Sequence, residues 1–135
     1  MKKNLVFAAL VVFSFANFVR AEDAAHAQAK LSVEVKIGSG IADRRLTGEA
    51  DTFPAGTAQL VGWSRVTGAR EPEQIMHVWK LNGAKYTSVP LIVKTSPYNT
   101  HSRITTGDRI GKWTLEVQDM DGNVLGVKDV ETKAN

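Results

Sequence analysis

Gln74-Ile75-Met76-His77-Val78-Trp79-Lys80-Leu81-Asn82-Gly83-Ala84-Lys85-Tyr86-Thr87-Ser88-Val89-Pro90-Leu91-Ile92-Val93 reads as two strands joined by a two-residue turn. Asn-Gly is the strongest short hairpin signal, because a type I′ turn needs positive φ at both central residues. Taking Asn82 and Gly83 as the turn sets Trp79 opposite Tyr86, His77 opposite Ser88 and Met76 opposite Val89. Pro90 has no N–H to give to a ladder, so that end of the second strand is expected to be an edge or a bulge.

The flanking sequence keeps the same two-residue period. Leu31-Ser32-Val33-Glu34-Val35-Lys36-Ile37 alternates without a break, which puts Leu31, Val33, Val35 and Ile37 on one buried face. Gly38-Ser39-Gly40 ends that strand. Residues 41–57 read as a long connection, with a short strand around Asp51 to Phe53. Gln59 to Val66, containing Trp63, is the next strand, and Thr67 to Pro72 is a turn. A polar loop from Thr95 to Asn99 leads to a short strand near Thr100 to Ile104.

Trp113 to Asp119 alternates again, with Trp113, Leu115 and Val117 inward. A return strand starts near Asn123. A three-residue loop, Met120-Asp121-Gly122, pairs Val117 with Leu125 and Leu115 with Val127, whereas a two-residue turn would waste the apolar face. The longer loop is therefore expected, with Gly122 in the left-handed region. No segment here carries a sustained 3.6-residue period. About seven short strands predict an all-β domain: a small antiparallel β-sandwich of immunoglobulin-like type, with an up-and-down barrel as the alternative.

The N-terminus reads differently. Met1-Lys2-Lys3-Asn4 is basic, and an apolar run follows from Leu5 to Val19, shorter than the roughly 20 residues a spanning helix needs. Val19-Arg20-Ala21 offers small residues at −3 and −1, which predicts a helical signal peptide over 1–21, cleaved after Ala21. Residues 22–30 are then expected to form a flexible tail and residues 31–135 a single domain. Three of the 17 basic residues leave with the signal, so the mature chain balances its 14 acidic residues. That balance speaks against nucleic acid as a partner. There is no cysteine, so stability must come from packing, and thiol chemistry is excluded.

The chain also resembles a known bacterial family, domain of unknown function 2914, over about residues 33–132. Members look like Ile-x-His-x-Trp, a Gly turn, then Val-x-Leu-x-Val. Ile75-Met76-His77-Val78-Trp79, Gly83 and Val89-Pro90-Leu91-Ile92-Val93 follow that pattern. The next family segment is aromatic-Arg-Thr-Tyr-Ser, matched by Tyr98-Asn99-Thr100-His101-Ser102-Arg103 with Asn99 replacing Arg and His101 replacing Tyr. Gly111-Lys112-Trp113, Val117-Gln118-Asp119 and Gly122-Asn123-Val124-Leu125 complete the match. The resemblance implies a small β domain in an envelope or secreted setting and brings no activity with it.

Candidate chemistry is sparse. On the expected register His77 and Trp79 share a face with Tyr86 and Ser88, a grouping able to stack on sugar rings or grip a peptide. The competing reading is a core aromatic pair with His77 hydrogen-bonded beside it. The candidate ligand-binding residues are His77, Trp79, Tyr86, Tyr98, His101, Ser102 and Arg103. No metal site is expected, because no tight ligand spacing occurs. No catalytic residue is expected either, since His101 and Ser102 are adjacent on a strand and point to opposite faces. No cofactor is implied. The arginines, Arg65, Arg70, Arg103 and Arg109, look scattered. The reading is an exported, periplasmic or secreted, non-catalytic binding module for an envelope glycan or protein, with no membrane span once mature. Its alternatives are a structural accessory domain that pairs with an envelope protein, and an unrecognised hydrolase.

Overall fold

The computed structural model describes residues 31–134, which are all β. The expected signal peptide (1–21) and tail (22–30) lie outside the described residues. Ten strands follow in order: β1 (Ser32–Gly38), β2 (Gly40–Ala42), β3 (Arg45–Thr47), β4 (Thr52–Pro54), β5 (Gln59–Thr67), β6 (Glu73–Leu81), β7 (Ala84–Val93), β8 (Tyr98–Thr105), β9 (Gly111–Gln118) and β10 (Val124–Lys133). This exceeds the seven expected from sequence. The stretch read as a long connection holds an extra hairpin, β2–β3, besides the short β4.

Two main sheets result. One has the order β1-β5-β8, the other β4-β10-β9-β6-β7, and β2 pairs only with β3. All pairings are antiparallel except β4 with β10. The alternation in β1 does what its period requires: Leu31 and Ile37 are buried, and Val33 and Val35 pack against the core. The core lies between the sheets in two clusters. Ile37, Leu60 and Ile104 of the smaller sheet meet Trp79, Trp113, Leu115 and Val130 of the larger, with Phe53 alongside. Leu31 and Val66 meet Ile75, Val93 and Val117. Side chains from two facing sheets interdigitate in this way in sandwich-like β folds.

Both predicted turns form, and both are followed by a bulge. Asn82 and Gly83 have φ of 50° and 82°, and Leu81 pairs with Ala84. Beyond Lys80–Lys85 the register slips by one, so Trp79 faces Thr87, Val78 faces Ser88 and His77 faces Val89. The expected Trp79–Tyr86 and His77–Ser88 pairs do not form. Tyr86 is the residue left over. Its ring stands edge-on to Trp113 at 5.0 Å, and its hydroxyl donates to the Thr105 carbonyl at 2.9 Å. Pro90 sits on β7, an outer strand of its sheet, where a missing donor breaks no ladder.

The loop after β9 is closed by the Asp119 N–H donating to the Asn123 carbonyl at 3.0 Å, leaving Met120, Asp121 and Gly122 between them. Gly122 has φ of 85°, as expected. The slip then comes at Leu125, which pairs Val117 with Gly126 and Leu115 with Lys128 rather than with Leu125 and Val127. The reason is tertiary. A Cβ on residue 126 would sit 2.7 Å from Val35 Cγ2, so β1 packs where an apolar side chain was expected. Lys128 reaches out of the face to Asp51 at 2.9 Å, and Val127 is turned to solvent.

A second close approach occurs across the core. A Cβ on Gly62 would fall 2.6 Å from Trp79 Cζ2 and closer still to Leu115. Trp79 and Leu115 of the larger sheet are therefore accommodated by a residue without a side chain. Gly62→Ala is expected to cost about 1–3 kcal/mol by overpacking, read as a lowered midpoint in urea with an unchanged slope. An unchanged midpoint would mean that the sheets are not in such contact.

Candidate functional site

The polar residues expected to form a ligand surface are drawn into two different places. His77, on β6 between Ile75 and Trp79, is fully buried at the seam between the two core clusters. Its Nε2 lies 2.9 Å from Ser64 Oγ and its Nδ1 2.7 Å from Ser102 Oγ. Trp79 Nε1 donates to the same Ser102 Oγ at 3.0 Å. Burial, helped by nearby His101, pushes the His77 pKa down to about 4, so the ring is neutral near pH 7. A buried imidazole with a hydroxyl at each nitrogen is a satisfied core group, and among the described residues no buried side-chain polar atom lacks a partner. Ser102→Ala removes the partner of two groups at once and is expected to destabilise by about 1–3 kcal/mol for each group left unpaired. Thermal denaturation checks this, and a cost under 1 kcal/mol would contradict the network.

His77, Trp79 and Ser102 therefore have no usable surface to offer a ligand, which corrects that part of the expectation. Tyr86 is also separated from them. It stands by Trp113, with the Arg109 guanidinium 5.3 Å from its ring centroid. Tyr98 is half-buried against the second core cluster. Among the described residues no group of three or more His, Asp and Glu could hold a metal ion. No helix there is long and apolar enough to cross a membrane.

His101 and Arg103 have a different fate. As the alternation on β8 requires, Ser102 points inward while Asn99, His101 and Arg103 point outward, all exposed. The pairing sets His101 opposite Trp63 and Asn99 opposite Arg65 on β5, and Trp63 opposite Lys36 on β1. The Lys36 ammonium lies 5.4 Å from the Trp63 ring centroid. The outer face of the three-stranded sheet thus carries one half-buried tryptophan between cations, an imidazole and an amide.

The β2–β3 hairpin makes this face concave. Its turn is Asp43-Arg44, with φ of 51° and 64°. Left-handed backbone is costly for a side chain such as arginine, and residues held that way concentrate at functional sites. Here the turn places Arg44 over the sheet. A hollow of about 480 Å³ is lined by Ile41 and Arg44 of the hairpin region, Trp63 and Arg65 of β5, and Pro97 to His101. A second, of about 220 Å³, adjoins it, lined by Lys36, Arg44, Arg45, Leu46, Glu49, Trp63 and Asn99. Arg44, Trp63 and Asn99 line both. Of the residues expected from sequence, Tyr98 and His101 line the larger hollow and Arg103 lines neither, while Trp63, Arg44 and Arg65 join the site without having been expected as ligand-binding residues. The available signal is positional: Trp63 and Arg65 on β5, and Asn99 and His101 on β8, each stand two residues apart on strands that pair, so they share one face.

Fold and site together define a small, all-β, two-sheet module with a cationic, tryptophan-bearing cleft on its smaller sheet. Residues 72–131 match a family described as Protein of unknown function (DUF2914), which bears out the resemblance over that segment. The matched segment runs from β6 into β10, so it contributes β8 to the cleft but not β5 or the hairpin. A comparison with curated proteins found no match.

Proposed function

We propose that this chain is an exported, non-catalytic binding module of immunoglobulin-like sandwich type, working in the periplasm or outside the cell. It holds an envelope glycan or protein in the Trp63 cleft. The observation that carries this reading is the concave face itself, with Trp63, Arg44, Arg65 and His101 around one hollow, while the other polar-aromatic cluster is sealed as core. An aromatic ring flanked by cations and neutral hydrogen-bonding groups on rigid strands is a recognition surface. The basic, apolar start of the sequence supports export. The cleft's lining, an aromatic ring among cations and neutral hydrogen-bonding side chains, favours binding over hydrolysis.

Fluorescence tests the reading cheaply, because Trp79 and Trp113 are fully buried and Trp63 is not. Emission is expected to change on adding solubilised envelope fragments, and the change is expected to vanish in Trp63→Phe. A response that survives the substitution would place binding elsewhere.

The alternative, a structural accessory role through a sheet edge, is favoured by one feature: β7 is an outer strand of its sheet. Strand addition needs a run of free N–H groups. Pro90 and the Tyr86 bulge interrupt that run, so the cleft is the better-supported surface.

A further inference from the structure

The composition of the cleft carries the reading one step further, to the class of ligand. The domain's charges are nearly balanced, but not evenly placed. Lys36, Arg44, Arg45 and Arg65 line the two adjoining hollows, where Glu49 is the single carboxylate in the lining; Glu34 beside them pairs with Lys36 at 3.4 Å, which leaves the three arginines in excess. The larger hollow has no acidic residue at all. Acidic groups gather on the other sheet instead, where Asp51, Asp129 and Glu131 line a hollow with one lysine. Guanidinium groups match carboxylate and phosphate oxygens in a planar, two-bond geometry that lysine cannot give.

The spacing of the groups is equally informative. Between the cations stand Trp63, Asn99, Thr100 and His101, which offer an aromatic surface and neutral hydrogen-bonding groups. The two hollows share the wall formed by Arg44, Trp63 and Asn99, so a ligand filling both must be extended and cross that wall. Polynucleotide affinity comes mainly from neutralising closely spaced phosphates, which a domain this near neutrality does not supply. A chain of hydroxylated rings with charges at intervals suits the arrangement better.

Resting on the reading of the cleft as a binding site, we propose that its ligand is an acidic glycan, an oligosaccharide bearing carboxylate or phosphate groups. Arg44 and Arg65 take the anionic groups, and Trp63 stacks on a sugar ring. Arg44, held in left-handed backbone at the hairpin tip, is the residue that grips both sides of the shared wall.

The test is calorimetric titration of the purified protein with tetragalacturonic acid and with mannopentaose phosphate, followed in parallel by Trp63 fluorescence. Maltotetraose, hexaglutamate, an eight-residue oligothymidylate and inorganic phosphate serve as comparison probes. At least one acidic oligosaccharide is expected to bind tenfold or more tightly than maltotetraose, hexaglutamate and the oligonucleotide. Arg44→Gln and Arg65→Gln are each expected to weaken it at least tenfold, with unchanged thermal midpoints. Which oligosaccharide binds distinguishes carboxylate from phosphate recognition. Maltotetraose binding in the cleft as tightly as the acidic sugars would overturn the acidic-glycan assignment and leave the binding-module reading standing. Tighter binding of hexaglutamate or the oligonucleotide there would do the same. Acidic sugar binding untouched by Trp63→Phe, Arg44→Gln and Arg65→Gln would overturn both.

Discussion

Trp79→Ala is expected to lower the free energy of unfolding by about 3–5 kcal/mol, a large share of what a domain of this size possesses. The ring is fully buried, packs between Gly62 and Leu115, and holds its indole N–H on Ser102. Deleting it removes apolar contact, opens a cavity and disturbs the hydrogen bonding of Ser102. Trp63→Ala, by contrast, is expected to cost only about 1–2 kcal/mol, from a half-buried face and its contact with Lys36. Urea denaturation of the two variants gives the comparison directly. Equal costs would mean that the division of labour between core tryptophan and cleft tryptophan is wrong.

The second large effect is one of pH. The His77 pKa is about 4 in the folded protein against an ordinary 6.5, so in the acid range the unfolded chain binds the proton more readily than the native one. Stability from this group is therefore fully present above about pH 6.5 and is lost progressively down to about pH 4. The difference corresponds to about 3 kcal/mol. His77→Gln, which can still meet both serines, is expected to flatten the pH dependence of stability between 6.5 and 4.5. Carboxylate protonation dominates only below that window. A variant with the same slope as the wild type would place the acid sensitivity elsewhere.

Much of this fold is legible along the chain, and the parts that are not share one cause. The alternation of Leu31 to Ile37 and of Trp113 to Val117, the Asn82-Gly83 turn and the Met120–Gly122 loop are local signals, and each appears where local physics puts it. The cross-strand partners beyond both turns are off by one because bulges at Tyr86 and Leu125 answer to distant groups, Trp113 with Thr105 in one case and Val35 in the other. No local pattern announces those neighbours.

The site was harder to read for the same reason. Leu60-Val61-Gly62-Trp63 is apolar on both faces, because Val61, pointing outward, is fully buried where β2 packs against β5. That run hides which side Trp63 takes. The hairpin supplying Arg44 turns at Asp43-Arg44 rather than at a glycine, so the usual turn signal is absent. His77 and Trp79 look like a binding pair because a strand pattern does not say which face a second sheet will cover.

The most direct test of the account is a two-dimensional amide correlation spectrum of the ¹⁵N-labelled protein, recorded while envelope glycan fragments are titrated in. The protein has three tryptophans, whose indole signals can be assigned by substitution. The Trp63 indole and the backbone amides of Arg44, Arg65 and residues 99–103 are expected to shift together, while the Trp79 and Trp113 indoles stay in place. Shifts centred on β7, or confined to the Trp79 and Trp113 indoles, would contradict this expectation.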